Sequence, residues 1–255
     1  MSSRTESDSP ARLHVRRGGS GPPVLLVHGG LGPEVTWARQ AELEREWSLI
    51  VPSRRGYAPS PPAAQQDFLV DAADLVSLIA EVPGGVHLVG YSYGGLGSCL
   101  AAERAPGLIR SLTLVEAPLW SAAAEDESVR RLMVLSDRFA AEPANAQAER
   151  EFYALAGLAP DMLSRADIRA SMAMWRELRS PREAQPRFET IAEAEIPVLV
   201  ASGEHNPGME RLCDAVAARL RGSRARLPGA GHAVPRTAAF NPTLTAFLTA
   251  AERSR

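Results

Sequence analysis

The residues best placed to do chemistry lie in "HLVGYSYGG" (87–95). It contains G-x-S-x-G at Gly90–Tyr91–Ser92–Tyr93–Gly94. An apolar run, "VHLV", precedes the motif and a helical pattern follows it, which is the context a nucleophilic serine on a tight strand-to-helix turn requires. Small residues at Gly90 and Gly94 let such a turn close. The helix N-terminus behind it favours negative charge at the serine. The chemistry expected is covalent catalysis by Ser92.

Two further stretches complete the pattern. "LLVHGGLG" (25–32) ends an earlier apolar run in glycines, so its backbone amides can face the serine. The amide of Gly30, with Leu31 as the neighbouring alternative, and the amide of Tyr93 would form an oxyanion hole. His28 is read as ordering that loop. "LPGAGHAVP" (227–235) places His232 in a loop after the last strand candidate, the position for a general base. His14 and His87 lie within strand candidates. His205, in "GEHNP", is a lesser rival.

These residues need a scaffold. Short apolar runs rich in β-branched residues, bounded by Gly or Pro, mark seven strands: 12–17, 23–29, 47–53, 86–92, 111–118, 196–203 and 223–229. Helical periodicity lies between them over 67–82, 94–106, 208–222 and 241–253. In the first of these helices Phe68, Leu69, Ala72, Leu75, Val76 and Ile79 form one apolar stripe. Strands alternating with helices predict an α/β fold with a mostly parallel sheet. Residues 119–191 carry no strand candidate and are read as a helical insertion, broken near Pro143, Pro160, Pro181 and Pro186. The expected organisation is a disordered leader (1–10), a core (11–118 and 192–255) and a helical cap (119–191).

With these pieces in order, the chain resembles the α/β-hydrolase superfamily, in its esterase and haloperoxidase-like branch, over nearly its whole length. "PSRRGYAPSP" (52–61) adds to the likeness, with Ser53 where that family often has Asp. The resemblance implies an eight-stranded, mostly parallel sheet, with the cap inserted after the strand that follows the nucleophile strand. It also implies a carboxylate to orient His232. The commonest place for it is the loop after "IPVLVASG", and there this sequence has Asn206. Glu204 and Asp214 are nearby alternatives. Glu116, closing "SLTLVE", resembles the arrangement in haloalkane dehalogenases, where the acid follows this strand. Ser92–His232–Glu116 is therefore the expected triad.

A dehalogenase would need Asp at position 92, so the serine points to acyl transfer. The expected substrate is a small-molecule carboxylic ester, lactone or thioester with an apolar acyl part. Thioesterase, cofactor-free haloperoxidase-like and C–C bond hydrolase chemistries stay open within the same fold. Leu31, Tyr91, Trp120 and Trp175 are the candidate pocket residues, with Met133, Phe152, Tyr153 and Met172 as further apolar candidates in the cap. The competing class is a ligand-binding or weakly active protein without a competent acid, a reading that rests on Asn206.

Composition narrows the partners. The 255 residues carry a formal net charge of −2 with mixed signs, which gives no footprint for nucleic acid or an anionic membrane. No apolar run approaches the roughly 20 residues of a membrane span. Cys99 and Cys213 read as buried thiols, and no cofactor or metal-ligand motif is visible. A cytoplasmic protein is the expectation.

Overall fold

The structure, a computed structural model, describes residues 10–141, 147, 151, 154, 155, 157, 166 and 178–255. Among these residues the sheet has seven strands: β1 (Val15–Gly18), β2 (Pro23–Val27), β3 (Ser48–Pro52), β4 (Val86–Tyr91), β5 (Ile109–Val115), β6 (Val198–Ser202) and β7 (Ser223–Arg226). Their order is β1-β3-β2-β4-β5-β6-β7. Only β1 runs antiparallel, against β3. All seven coincide with the apolar runs read from the sequence. The implied eighth strand is absent among the described residues. Before β1, Ala11 donates its N–H to Asp74.

Helices cover both faces. Among the described residues they are, in chain order, α1 (Pro33–Thr36), α2 (Phe68–Ala80), α3 (Tyr93–Arg104), α4 (Glu127–Ala141), α5 (Phe188–Glu193), α6 (Pro207–Arg219) and α7 (Phe240–Arg253). Strand alternation divides the core between the faces. Leu25 and Val27 of β2 point to the layer of α2, α3 and α6. Val24 and Leu26 point to the opposite layer, with Trp37, Trp47 and Phe240, Leu244 and Leu248 of α7.

Helix α2 departs from its expected stripe. Leu69 is 39% exposed, while Asp71 and Asp74 are buried. The reason is ionic: Asp71 pairs with Arg54 at 2.7 Å and Asp74 with Arg55, so the stripe accommodates two carboxylates in place of a continuous apolar row.

The chain leaves β5 into residues 119–191. Its described parts include α4, which packs on α6, and a return segment near Leu178. That segment is fastened to the loop before α2. Gln66 and Leu178 form a β-bridge, Arg179 N–H donates to Gln66 O at 2.7 Å, and the Arg179 guanidinium pairs with Asp67 at 2.8 Å. The predicted breaks at Pro143 and Pro160 lie outside the described residues. Pro181 opens a short 3₁₀ turn, and Pro186 precedes α5.

Candidate active site

Ser92 sits between β4 and α3 with φ 51° and ψ −128°, a conformation rarely adopted by a residue with a side chain. Such strain costs about 1–3 kcal/mol and persists only where the surroundings impose it. Two glycines allow it. A β-carbon at Gly94 would stand 2.2 Å from the His28 carbonyl oxygen, and one at Gly90 would stand 2.5 Å from Ser98 Oγ. The elbow therefore closes against both the end of β2 and its own helix only because both positions lack a side chain.

The structure brings Ser92, His232 and Glu116 together. Ser92 Oγ lies 3.0 Å from His232 Nε2, and His232 Nδ1 lies 2.9 Å from Glu116 Oε2. A carboxylate only accepts, so Nδ1 carries the proton and Nε2 presents its lone pair to the serine. Glu116 is fully buried. A buried carboxylate is tolerated only when its oxygens are satisfied, and here the Gly203 N–H donates to Oε1 at 2.7 Å. The phenol of Tyr91 donates to the His232 carbonyl at 2.8 Å and anchors the loop after β7. Burial, and then the charge of Glu116, push the Tyr91 pKa up, so the phenol stays a donor.

The other acid positions face elsewhere. Asn206 caps α6: its side-chain oxygen accepts the N–H groups of Gly208 at 2.8 Å and Met209 at 3.2 Å. Glu204 lies 3.8 Å from Arg226. Asp214 pairs with Arg224 and Arg226 on the surface of α6.

All four carbonyls of the loop from His28 to Leu31 are engaged. His28 O accepts from Arg54 Nε at 3.0 Å, and Gly29 O from Arg54 Nη2 at 2.8 Å. Gly30 O accepts from the Tyr57 hydroxyl at 2.9 Å, and Leu31 O from Thr36 Oγ1 at 3.2 Å. A β-carbon at Gly29 would stand 2.8 Å from Ser92 Cβ, which places this loop directly against the serine. Tyr93 is the first residue of α3, so its N–H belongs to the first turn, whose amides have no partner within the helix.

His28 itself is a fully buried strut. Its Nδ1–H donates to Gly29 O at 3.0 Å and its Nε2 accepts the Arg54 N–H at 3.0 Å. Burial, reinforced by Arg54, holds its pKa well below the usual imidazole range, so the ring is neutral. The expected ordering role matches this geometry. Arg54 and Tyr57 were missed as site residues. The available signal was polar Asp71 within the apolar stripe of α2, which requires a buried cation.

Of the candidate pocket residues, Trp120 is 3% exposed and packs in the core cluster with Ala117, Leu119 and Val129. Tyr93 is 2% exposed, its hydroxyl bonded to the carbonyls of Gln66 and Arg179 at 3.1 Å each. Leu31 is partly exposed beside the loop. Met133 is buried on α4. Trp175, Phe152, Tyr153 and Met172 lie outside the described residues.

Comparison with known proteins agrees with this architecture. Over 266 aligned residues the chain is 30% identical to polyketide synthase ThaQ of Burkholderia thailandensis, covering 93% of this chain but 12% of that protein. It is 31% identical to lipase LipV of Mycobacterium tuberculosis over 59% of each. The chain thus spans less than two thirds of either relative. The bromoperoxidase structure from Bacillus anthracis superposes with a TM-score of 0.68 at 21% identity, covering 94% of this chain and 96% of that one, a likeness of fold. The alpha/beta hydrolase family description matches residues 24–241, most of the chain and all three of the stretches carrying Ser92, Glu116 and His232, so the protein belongs to the alpha/beta hydrolase family.

Proposed function

We propose that this protein is a serine hydrolase that cleaves a small-molecule carboxylic ester, or a lactone or thioester, through an acyl-enzyme. The carrying observation is the continuous relay from Ser92 Oγ to His232 Nε2 at 3.0 Å and from His232 Nδ1 to Glu116 Oε2 at 2.9 Å. In the first half-reaction Ser92 Oγ attacks the acyl carbon while its proton passes to His232 Nε2. The imidazolium forms beside the buried carboxylate of Glu116, which stabilises its charge. The amides of Gly30 and Tyr93 receive the developing oxyanion. His232 then gives its proton to the leaving alkoxide, and water, deprotonated by the same ring, releases the acid and restores Ser92.

The resemblance to a protein named a lipase supports an ester as substrate. Residues 119–191 would act as a cap over the acyl part, with Leu31 beside the oxyanion loop. The competing reading of a binding protein rested on Asn206, and capping of α6 accounts for an asparagine there. Among the described residues no helix is long and apolar enough to cross a membrane, and Cys99 and Cys213 are buried free thiols, in keeping with a cytoplasmic setting.

The test is labelling with a fluorophosphonate probe followed by a panel of activated esters of rising acyl length. Rapid labelling of Ser92 that is abolished in His232→Ala supports the proposal. Absence of labelling at high probe concentration refutes it.

A further inference from the structure

Beside the relay lies a histidine that the proposed mechanism does not use. His205, in the loop before α6, is nearly buried, with 7% of its side chain exposed. Its Nδ1 lies 3.6 Å from Glu116 Oε1, too far for a hydrogen bond, and has no partner among the described residues. Its ring centroid is 6.2 Å from that of His232, edge to face. A buried polar nitrogen without a partner is unfavourable unless something else can occupy the space it faces.

We propose that Glu116, His205 and His232 form a binding site for a zinc-type divalent ion, and that filling it switches the hydrolase off. Two imidazoles and one carboxylate, with a fourth position open to solvent or substrate, are a donor set suited to Zn²⁺. One ligand atom from each residue lies within 4.8 Å of the other two. A tetrahedral ion with bonds of about 2.0–2.2 Å holds its donors about 3.4 Å apart. The Glu116 Oε2–His232 Nδ1 distance of 2.9 Å and the Glu116 Oε1–His205 Nδ1 distance of 3.6 Å lie on either side of that spacing, so side-chain rotation would bring one carboxylate oxygen and both rings onto one ion. The Glu116 carboxylate is already desolvated and supplies a negative charge. Glu210 adds a second one that acts on His205. His232 is 23% exposed on its side chain, so the site is not sealed from solvent. The sequence offers no hint of this set, because its three members come from the ends of β5 and β6 and from the loop after β7.

The chemical consequence follows from which nitrogen is used. In the metal-free protein the proton of neutral His232 sits on Nδ1 and the lone pair on Nε2 faces Ser92. An ion bound at Nδ1 displaces that proton to Nε2. The ring then presents an N–H to the serine oxygen and has no lone pair to take its proton. No bond to substrate and no redox change is involved. Loss of catalysis is a tautomer shift, reversible when the ion leaves.

The inhibitory half of this inference rests on the proposed hydrolase reading, whereas the binding half does not. Two measurements separate them. Metal-depleted protein is titrated with zinc chloride at about pH 8, where free imidazoles are neutral, by calorimetry and by thermal shift. In parallel the hydrolysis of an activated ester is followed. The expected result is one equivalent bound in the micromolar range, a higher melting temperature, inhibition with the same midpoint, and recovery on adding EDTA. His205→Gln weakens binding by more than about tenfold and abolishes inhibition relative to its own zinc-free rate. Ser92→Ala binds zinc like wild type, so the site can be read even if no ester is cleaved. Binding by wild type that is unchanged in His205→Gln overturns the site, as does no binding at all. Zinc bound without loss of esterase activity overturns the switch. If His205→Gln does not fold, Glu116→Gln takes its place in the calorimetric arm with the same two outcomes.

Discussion

Ser92 and Glu116 leave neighbouring parallel strands at the same level. The last paired residues of β4 and β5 are Tyr91 and Val115, and each of the two site residues comes one position later. Both take a positive φ, 51° for Ser92 and 50° for Glu116. The Ser92 N–H donates to Val115 O at 2.8 Å, and the Glu116 N–H continues the ladder to Ala201 O at 3.0 Å. Adjacent strands stand about 4.8 Å apart. One imidazole, lowered from the far side of the sheet on the loop after β7, can therefore touch both residues. The position of Glu116 beside Ser92 is a matter of strand register, and the loop after β6 places Asn206 at the α6 cap instead.

That division of labour predicts opposite phenotypes for two substitutions. Glu116→Gln removes the charge that stabilises imidazolium and lets an amide N–H hold the wrong tautomer. It should lower kcat by about 10³–10⁴, with a far smaller change in KM. Asn206→Ala should leave kcat near wild type and lower stability by about 1 kcal/mol through loss of the α6 cap. Steady-state kinetics and urea melts on both variants decide the assignment. Near-wild-type turnover in Glu116→Gln would falsify it.

The carbonyl clamp on the oxyanion loop gives a milder prediction. Tyr57→Phe removes the hydroxyl that holds Gly30 O at 2.9 Å and leaves Arg54 in place. The loop loses the hydroxyl that reaches Gly30 O at 2.9 Å and Gly29 O at 3.3 Å and keeps its other carbonyl anchors. We expect kcat to fall about three- to tenfold, less than the roughly 10²–10³ for deleting an oxyanion donor outright. Burst kinetics should place the loss in acylation and deacylation alike, since both pass through an oxyanion. A loss confined to KM would mean that Tyr57 touches substrate instead.

Much of this site could be read from the chain because its parts are local patterns. G-x-S-x-G after "VHLV", glycines after "LLVH", and a histidine after the last strand each declare a strand end within a few residues. Glu116 needed the family likeness as well, since a glutamate closing a strand has no distinctive surroundings in sequence. Arg54 and Asp71 escaped notice because their meaning is pairwise: each looks like surface charge until the fold buries them together at 2.7 Å. His205 reads in the sequence only as a rival base, and its closeness to Glu116 is not visible there because the two are distant along the chain. The apolar stripe of α2 misplaced Leu69 because periodicity gives a helix face and not which end of it the neighbouring elements cover.

Protonation of buried histidines should set the acid limit of stability. His87 in β4 is held by Ser111 Oγ at 2.8 Å and faces the Glu252 carboxylate at 3.0 Å. Burial outweighs the pull of Glu252 and lowers its pKa from about 6.5 to about 4. His28 is shifted in the same direction. In both cases the folded state favours neutral imidazole and the unfolded chain binds the extra proton. The His87 contribution is complete above about pH 6.5 and is lost as the pH falls from there toward about 4, and that of His28 is lost in the same direction. Urea midpoints measured across that window should fall with acidity, and His87→Gln should flatten the slope. An equal slope in the variant would show that His87 titrates normally in the fold.

Gly94 offers the sharpest test of how the elbow is built. Helix propensity alone says that alanine in the first turn of α3 should stabilise by about 1 kcal/mol. Sterics say the opposite. The new β-carbon would lie 2.2 Å from His28 O, 2.9 Å from His28 C and 3.0 Å from Val27 O. These are backbone atoms at the end of β2, and the His28 carbonyl is also held by Arg54. None of them can rotate away, so either α3 or the oxyanion loop must move. Overpacking of this kind costs about 1–3 kcal/mol, enough to reverse the propensity gain. The movement separates the Tyr93 amide from the Gly30 amide, so kcat should fall further than stability alone would suggest. Gly32→Ala is the control on the same loop: its nearest neighbour is Tyr57 Cδ1 at 3.9 Å and its φ is −61°, so both melting temperature and kcat should stay near wild type. A Gly94→Ala variant as stable and active as Gly32→Ala would mean that the elbow does not depend on this contact.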